Sequence, residues 1–453
     1  MAIDVITVNS TQVSDDTNTS TGAFDLPAGT TAQRPSSPTS GNMRFNTDTQ
    51  SGEMYDGTSW GKVSPLTPTL SSITGTIFNG VAKNLTLTGT EFLSSNLIVN
   101  FTPSGGSTTS VTIQPTTNTS ATVAIPNAIQ SVSAGTVVAI TVTNSDNRTS
   151  AGVNKTVANA PTGGTITTSG NFRIHTFNTS DDFITPVDMA VEYLIIAGGG
   201  GGGGYYYAGG GGAGGYRTNV SGQSSGGGGS AESSMTITAA TYPVVVGAGG
   251  AAQTSSTANQ NGNPGVASSF NSISSVEGGY GGSAGSTGGP GGSGGGAGGT
   301  HAGAGGSGTS NQGYNGGGSS GTTNQYGAGG GGGSGSAGGA GSSGVPGNGG
   351  DGVSSNITGT AVTRAGGGGG ATGAHSATNA TQGIGGSGGG GDGGVYSGTI
   401  RAPTDGTVNT GSGGGGSCHI TNISGSTNGA ASGAYSGAGG KGVVFIRYDL
   451  TTL

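Results

Sequence analysis

The feature that most constrains the fold is a series of glycine runs in the second half of the chain. Glycine supplies 107 of the 453 residues, roughly a quarter against an average near 7%. Ordering glycine costs more conformational entropy than ordering any other residue, and glycine has no side chain to bury in return. Such runs are therefore often flexible linkers. The runs recur at 198–204, 208–215, 226–229, 247–250, 278–300, 328–350, 366–370, 384–394, 411–416 and 437–442.

Apolar segments on both sides of the runs argue against a linker. Residues 190–197 and 443–448 read as strands, and inserts rich in Ser, Thr and Asn separate the runs. This bracketing indicates one ordered domain whose ends meet in a sheet. Collagen is excluded because glycine does not recur at every third residue and the chain has only 15 prolines. We therefore expect a bundle of polyglycine II helices, with flanking β-strands, over 160–453.

Polyglycine II explains why the runs consist of glycine. Each such helix is extended and left-handed, with three residues per turn, about 3.1 Å rise per residue and no internal hydrogen bonds. Its N–H and C=O groups must therefore pair with neighbouring helices. A side chain aimed at a neighbour would prevent that close approach. The expected result is a compact block of glycine helices with loops at its ends.

Residues 1–64 are predicted to form a small β module. Short strands alternate with turns, and Arg44, Phe45 and Asn46 alternate faces of one strand. A unit of this size needs to trimerise or to dock on a neighbour to be stable. Its apolar contact area is supplied by Met54, Tyr55 and Trp60.

Residues 65–159 are predicted to form a β-sandwich. Apolar and polar side chains alternate in short segments about ten residues apart, which is typical of a sandwich with one solvated face. A sustained helical pattern is almost absent from the whole chain, so we expect a mainly β protein. The strands expected in the sandwich are 72–77, 82–88, 96–101, 110–114, 121–125 and 136–143.

Composition excludes several classes of partner. The 19 acidic and 12 basic residues give a formal charge of −7 and form no basic run, so nucleic acid is not expected as a partner. Cys418 is the single cysteine, which rules out an intrachain disulfide. No stretch of about 18 apolar residues is present for membrane insertion, and the first residues lack the features of a secretory signal. We therefore expect synthesis in a cytosol without export.

Three parts of the chain resemble modules of bacteriophage virion proteins. The first resembles a module of tail-fibre and virion structural proteins, through 29–38, 41–49 and 54–60 in that order. The second resembles an immunoglobulin-like domain of the IPT/TIG kind, because 68–75 and 85–92 follow the way in which those domains begin. The third resembles glycine-rich phage adhesins built as a polyglycine sandwich. The motifs that carry this last resemblance are 191–200, 213–217, 244–250, 267–270 and 442–448.

The resemblance implies a structural virion protein of a tailed bacteriophage. It would be a tail fibre that adheres to the host cell surface through loops of the glycine-rich domain. The N-terminal module would attach to other tail or baseplate proteins, and the immunoglobulin-like domain would be a spacer. The expected host partner is a surface polysaccharide or an outer-membrane protein. By the same analogy the fibre is a homotrimer of the virion tail, assembled in the host cytoplasm.

Tyrosines in the inserts are the candidate receptor-binding residues. A rigid scaffold that presents loops is a common arrangement for recognition, and aromatic side chains add contact area at low entropic cost. The alternative is that these tyrosines cap the ends of the glycine helices or pack against the flanking strands. The candidates are Tyr205, Tyr206, Tyr207, Tyr314, Tyr326, Tyr396 and Tyr435.

Metal ligands, cofactors and catalytic residues are not expected. Acidic residues are nearly missing from the glycine-rich half, so the paired carboxylates of a depolymerase are not predicted there. Three aspartates could bind calcium through loop oxygens, but no EF-hand or acidic repeat accompanies Asp351, Asp392 and Asp405. Four histidines lie far apart and match no zinc-site spacing: His175, His301, His375 and His419.

Three alternatives to a tail-fibre adhesin stay open. A purely structural fibre or a capsid-decoration protein would share the same modules without binding a receptor. An ice- or surface-binding protein would require a flat face of regularly spaced Thr or Ala, and the irregular inserts argue against one. A cellular adhesin is disfavoured because the chain shows no export signal.

Overall fold

A computed structural model describes residues 26–63, 67–93, 96–254, 260–320, 325–374, 381–396, 401–418 and 436–453. Strands dominate these ranges, and helix within them is confined to Asn127–Gln130 and a 3-10 turn at Thr31–Gln33. The expected mainly β class is confirmed. In the described part of the chain, no helix has the length and apolar character needed to cross a bilayer.

The N-terminal module is a four-stranded sheet of β1 (Ala28–Gly29), β2 (Met43–Asn46), β3 (Ser51–Tyr55) and β4 (Trp60–Lys62), paired in that order. The expected alternation along β2 is confirmed. Arg44 and Asn46 are buried on one face, and Phe45 is half-buried on the other. The rings of Tyr55 and Trp60 pair across β3 and β4, with their centroids 5.6 Å apart.

The next region is a sandwich of two sheets, as predicted. Apolar side chains from both sheets fill its core, among them Leu87, Phe101 and Ile140, each with no exposed surface. The three-stranded sheet contains β5 (Thr69–Thr74), β6 (Asn84–Thr90) and β9 (Ser120–Ala124). The four-stranded sheet contains β7 (Leu97–Pro103), β8 (Thr109–Ile113), β10 (Val137–Thr143) and β11 (Val153–Thr156).

Two strands of the sandwich differ from the expectation. The first strand, expected at 72–77, starts earlier as β5 and ends at Thr74, because Gly75 turns the chain with a φ of 107°. The last strand, β11, is not predicted from the sequence. It is an edge strand whose side chains are all partly or fully exposed, so it carries no buried apolar pattern.

Two further sheets, which we call the base sheets, begin the glycine-rich domain. One contains β12 (Thr165–Ser169), β13 (Phe172–Phe177), β15 (Met189–Ile196), β16 (Tyr216–Thr218), β17 (Met235–Ile237) and β26 (Val443–Asp449). The other contains β14 (Asp181–Thr185), β18 (Ala240–Val245), β19 (Ser268–Phe270) and β20 (Ile273–Ser275). Short strands among the glycine runs are β21 (Gln325–Gly327), β22 (Val353–Ser355), β23 (Val362–Arg364), β24 (Thr372–Ala374) and β25 (Val395–Tyr396).

The two ends of the glycine-rich domain meet in one sheet. Strand β26 lies between β13 and β15, antiparallel to both, with Ile446 opposite Tyr193. Side chains of both base sheets share one core, which includes Phe183 and Phe270. The prediction that the flanking strands bring the domain ends together is confirmed.

The sandwich contributes two side chains to that second core. Phe78 and Val81, which follow β5, are buried among the apolar residues of the base sheets rather than in the sandwich. The backbone supports the same contact, because the N–H of Thr76 donates to the carbonyl of Leu453 at 2.8 Å. The sandwich is therefore packed directly onto the glycine-rich domain.

The glycine runs bond to one another with a repeat of three residues. Along 197–204, successive N–H groups donate to three different neighbouring runs at 2.8–3.1 Å, and every third N–H returns to the same run. This three-residue repeat, without bonds inside the run, is that of polyglycine II. Ala197, Gly200 and Gly203 donate to Gly215, Gly212 and Gly209 in the run that follows. Gly198, Gly201 and Gly204 donate to Val266, Asn263 and Gln260 in a second neighbouring run. Gly199 and Gly202 donate to Gly440 and Gly437 in a third.

The carbonyl groups of the same run accept bonds from three other runs. Gly278 and Gly281 donate to Gly198 and Gly201, Gly250 donates to Gly199, and Gly414 and Ser417 donate to Gly200 and Gly203. The run 197–204 therefore has six bonded neighbours. We call the array of bonded runs between 197 and 442 the glycine lattice.

Close contact on all sides explains why the central run contains only glycine after Ala197. A Cβ atom on Gly198 would lie 1.9 Å from the carbonyl oxygen of Ala248, and one on Gly199 would lie 2.0 Å from that of Ser412. On Gly200 it would lie 2.1 Å from the oxygen of Gly279. Because three successive positions face three different neighbours, no direction is left for a side chain.

Candidate functional site

The glycine lattice has one end at the base sheets and one end away from them. The run 197–204 leaves β15, and the next run returns to β16. Residues 205–207, which connect them, therefore lie at the end opposite the base sheets, which we call the distal end. The N–H of Gly299 donates to the carbonyl of Tyr207 at 2.8 Å, so the turn after Gly299 lies there too.

Four tyrosines form one aromatic group at the distal end, which we call the tyrosine cluster. The rings of Tyr205 and Tyr206 meet edge to face with centroids 4.1 Å apart, and those of Tyr206 and Tyr207 are 5.8 Å apart. Tyr207 then stacks on Tyr326 at 4.8 Å, with an angle of 28° between the rings. Tyr326 is distant in sequence but is brought here by the runs of the lattice.

The turn that carries the cluster has unusual backbone angles. Tyr205 has a φ of 71° and Tyr207 a φ of 33°. Such positive values are uncommon for a side chain as bulky as tyrosine and cost of order 1–3 kcal/mol each. Backbone strain of this kind persists only where the surrounding structure imposes it, and it concentrates at functional sites. The lattice bonds on both sides of the turn supply that constraint.

The cluster is partly accessible and contains no acidic or basic side chain. Tyr205, Tyr206 and Tyr326 are half-buried, whereas Tyr207 is buried beneath them. The hydrogen bond from Tyr206 to Tyr205, together with partial burial, raises the pKa of Tyr206 to about 12. Its hydroxyl therefore stays protonated at physiological pH. The site offers aromatic faces and hydroxyl groups, which suit stacking and neutral hydrogen bonds rather than the binding of ions.

Polar residues also lie at the distal end. The hydroxyl of Thr372 donates to the carbonyls of Tyr326 and Gly344, both at 3.1 Å, and so fixes the strand that carries Tyr326. Half-buried Thr300 and exposed His301 follow Gly299, with the Thr300 hydroxyl 3.2 Å from His301 Nδ1. The distal end thus carries the turn with Thr300 and His301 as well as the tyrosine cluster.

The other candidate tyrosines are not brought into this group by described contacts. Tyr314 lies within the lattice, where its N–H donates to Gly333 and its carbonyl accepts from Gly294. Its hydroxyl lies beside Gly228, nearer the base sheets. The backbone of Tyr396 ends β25 and pairs with Gly373. Tyr435 lies outside the described residues.

The aspartates considered for calcium hold the backbone of the lattice instead. Asp351 accepts from the N–H and hydroxyl of Ser387 at 3.0 and 2.7 Å. Asp392 accepts from the N–H of Gly385 at 2.8 Å, and Asp405 from that of Ala438 at 2.7 Å. Across the described ranges, no group of three or more His, Cys, Asp or Glu side chains is placed to hold a metal ion.

The histidines and the cysteine are likewise dispersed. His175 is buried between the base sheets, where its Nδ1–H donates to the carbonyl of Gly163 at 2.7 Å. Burial lowers the pKa of His175 to about 4, so its imidazole is neutral. Cys418 is buried at the distal end of its run, and burial raises the pKa of its thiol to about 12. His375 and His419 lie outside the described residues.

One polar cavity near the base sheets is not indicated by the sequence. It has a volume of about 1030 Å³ and is lined by Arg217, Glu232 and several serines. Arg217 makes a two-pronged ion pair with Glu232 at 2.6 and 2.9 Å, and the Tyr193 hydroxyl donates to Glu232 at 2.6 Å. These residues are separated in sequence, and only the pairing of β15 with β16 unites Tyr193 and Arg217. The charges of Arg217 and Glu232 compensate each other in this ion pair.

A comparison with protein families identifies one relationship. The family described as a glycine-rich domain matches residues 175–449, which is more than half of the chain. The match runs from β13 to β26 and so covers the glycine lattice and the tyrosine cluster. Neither the curated proteins nor the solved structures include a match.

Proposed function

We propose that this chain, which belongs to the glycine-rich domain family, is an adhesive structural protein of a tailed bacteriophage. In this proposal it is a tail fibre that attaches the virion to the host cell surface. Attachment occurs through the distal end of the glycine lattice and involves no covalent chemistry. The resemblance of the glycine runs to phage adhesins supplies the biological setting.

The observation that carries the proposal is the tyrosine cluster on a strained turn of a rigid scaffold. Tyr205 and Tyr207 have positive φ angles, and Tyr207 stacks on Tyr326 from a distant run. A lattice whose runs are each bonded to several neighbours holds these side chains in place before a ligand arrives. Such preorganisation lowers the entropic cost of binding.

Tyrosine suits a surface receptor of the kind proposed. Each ring supplies a large apolar face, and its hydroxyl supplies one donor and acceptor, with few rotatable bonds to immobilise. The expected ligand is a host surface polysaccharide or an outer-membrane protein. Because the cluster contains no acidic or basic side chain, binding should depend little on salt concentration.

The remaining modules have structural roles in this proposal. The N-terminal sheet attaches the chain to other tail or baseplate proteins, and the sandwich is a spacer that positions the lattice. The packing of Phe78 into the base-sheet core favours a rigid spacer. The fibre is a homotrimer of the virion tail, assembled in the host cytoplasm.

Adsorption competition tests this function. The purified full-length chain is added to candidate host cells, and attachment of the phage is counted with and without it. Blocked attachment supports receptor binding. Unchanged attachment, with the chain shown to be folded, would favour a structural fibre or capsid-decoration protein that binds no receptor.

A further inference from the structure

The polar cavity beside the base sheets takes no part in the proposed adhesion. Its volume of about 1030 Å³ lies at the upper end of the range typical of small-molecule sites, about 300–1,000 Å³. A water molecule occupies about 30 Å³ in the liquid, so the cavity has room for much more than a few bridging waters. Exposed serines on its walls keep it open to solvent. The cavity is therefore large and accessible enough for a ligand built of several small units.

Inserts from three parts of the chain form the walls, and hydrogen bonds fix them in place. The N–H of Glu232 donates to the carbonyl of Thr218 in β16 at 2.8 Å. The side-chain oxygen of Gln312 accepts from the N–H of Val276, just after β20, at 2.9 Å. A site that is already formed loses less entropy when a ligand binds. The three inserts are 228–236, 271–273 and 310–312.

Several polar side chains of the walls have no hydrogen-bond partner in the described part of the chain. They include the side-chain amide of Asn311 and a group of serine hydroxyls. A hydroxyl can donate and accept, and an amide offers both roles through different atoms. The walls therefore suit a ligand that donates and accepts hydrogen bonds at several points. The serines are Ser230, Ser233, Ser234, Ser272 and Ser310.

The charged side chains of the cavity are satisfied within the chain. Both carboxylate oxygens of Glu232 accept from Arg217, at 2.6 and 2.9 Å, and the described lining contains no other acidic or basic side chain. An ionic ligand would have to compete with this ion pair. Half-buried Met235 and Ile273 add a small apolar surface. The lining is thus neutral overall, with many polar groups and a minor apolar part.

We propose that the cavity binds a short, uncharged saccharide. The edge of a sugar ring presents hydroxyl groups that donate and accept, and its C–H face is apolar. The serine hydroxyls and the Asn311 amide match the first feature, and Met235 with Ile273 matches the second. The lack of an uncompensated charge in the described lining favours a neutral sugar over an acidic or phosphorylated one. The inference goes beyond the proposed function, because the cavity lies by the base sheets and the tyrosine cluster at the distal end.

An extended peptide fits this cavity less well. Peptides often bind beside a sheet by adding a strand to an open edge. At the edge of β20, the carbonyl of Ser274 accepts from Arg217 Nη1 at 2.8 Å. The N–H of Val276 donates to Gln312, which also lines the cavity. These two side chains occupy the backbone groups that an added strand would need there.

Exposed Ser234 permits a direct test, because Ser234→Trp places an indole ring in the cavity. Ser104→Trp is the matched control, since it adds the same ring to an exposed serine of the sandwich. Asn311→Gly is a milder second variant. It removes the amide, and glycine readily adopts the φ of 58° found at this position. Thermal unfolding shows whether each variant is folded.

The decisive measurement is binding of the full-length chain to a glycan array. The neutral probes are oligosaccharides of glucose, mannose, galactose and N-acetylglucosamine, and oligogalacturonate is the anionic probe. We expect the wild type and Ser104→Trp to bind at least one neutral probe. Binding should fall at least tenfold in Ser234→Trp and several-fold in Asn311→Gly.

Three results would overturn the proposal: a wild type that binds no neutral probe, one that binds only oligogalacturonate, or undiminished binding by folded Ser234→Trp. If Ser234→Trp does not fold, undiminished binding by Asn311→Gly overturns it instead.

The same samples separate this site from the adhesive function. Loss of saccharide binding in Tyr206→Ala, with Ser234→Trp unaffected, would place the saccharide at the tyrosine cluster and overturn the cavity site. A chain that binds the neutral probe through the cavity but does not block phage attachment would overturn adhesion alone.

Discussion

The ring of Tyr207 stacks on the ring of Tyr326, 4.8 Å away, although the two residues lie on different runs of the glycine lattice. This contact depends on lattice bonds that join those runs through Ala208, Ala371 and Ala328. The lattice therefore positions the tyrosine cluster, and the two parts can be tested independently.

Removing the stacked ring should weaken adhesion without unfolding the chain. Tyr326→Ala loses a ring pair worth about 0.5–1.5 kcal/mol beyond area burial, and we expect binding to host cells to fall several-fold. Tyr326→Phe keeps the stack and should retain most of the binding. Cell binding and thermal unfolding are measured on both variants; equal binding by Tyr326→Ala and the wild type would exclude a role for this ring.

A single methyl group should damage the lattice. Gly200→Ala places a Cβ atom 2.1 Å from the carbonyl oxygen of Gly279, which cannot move without breaking other lattice bonds. Overpacking typically costs about 1–3 kcal/mol, so we expect a clear fall in the midpoint of thermal unfolding. The control is Gly61→Ala, which meets nothing within 4 Å and should leave the lattice transition unchanged.

Stability should fall in acid partly because of His175. Its folded pKa of about 4 lies below the ordinary value of 6.5, so the unfolded state binds more protons between these values. The stability that this pKa difference gives the folded state is fully present above pH 6.5 and is lost as the pH falls toward 4. It amounts to about 3 kcal/mol at most. Denaturant unfolding of the wild type and His175→Gln from pH 7 to 4 should show a smaller decrease for the variant, and parallel curves would refute this assignment.

The contact between the sandwich and the base sheets should contribute to stability. Phe78 is fully buried in the base-sheet core, and replacing such a side chain with Ala typically costs about 3–5 kcal/mol. We expect Phe78→Ala to lower the unfolding midpoint of the glycine-rich domain. Exposed Val137, in the sandwich, provides the control through Val137→Ala. A fall of equal size in both variants would indicate that the contact is not specific.

The sequence predicts the three modules and the lattice because their patterns are local. Alternation identifies most strands of the sandwich, and the requirement for unobstructed backbone bonds identifies the glycine helices. Strand β5 is displaced from its predicted position because the turn at Gly75 depends on backbone conformation rather than on hydropathy. Strand β11 is missed because an exposed edge strand needs no apolar pattern.

The candidate site is only partly predictable, because local sequence patterns do not show which distant residues the lattice brings together. Tyr205, Tyr206 and Tyr207 are adjacent in sequence, and their grouping follows directly. Tyr326 belongs to the tyrosine cluster and Tyr314 does not, because the two residues lie towards different ends of the lattice. The ion pair of Arg217 with Glu232 beside Tyr193 likewise depends on strand pairing that no local pattern encodes.

The most direct test of the central claim is the binding of purified full-length chain to host cells before and after removal of two of the half-buried tyrosines of the cluster. The double variant Tyr206→Ala with Tyr326→Ala should remain folded, with an unfolding midpoint only slightly below that of the wild type, and should bind at least tenfold more weakly. Tyr314→Ala, which changes a tyrosine outside the cluster, should bind like the wild type. Undiminished binding by the folded double variant would contradict adhesion through the tyrosine cluster.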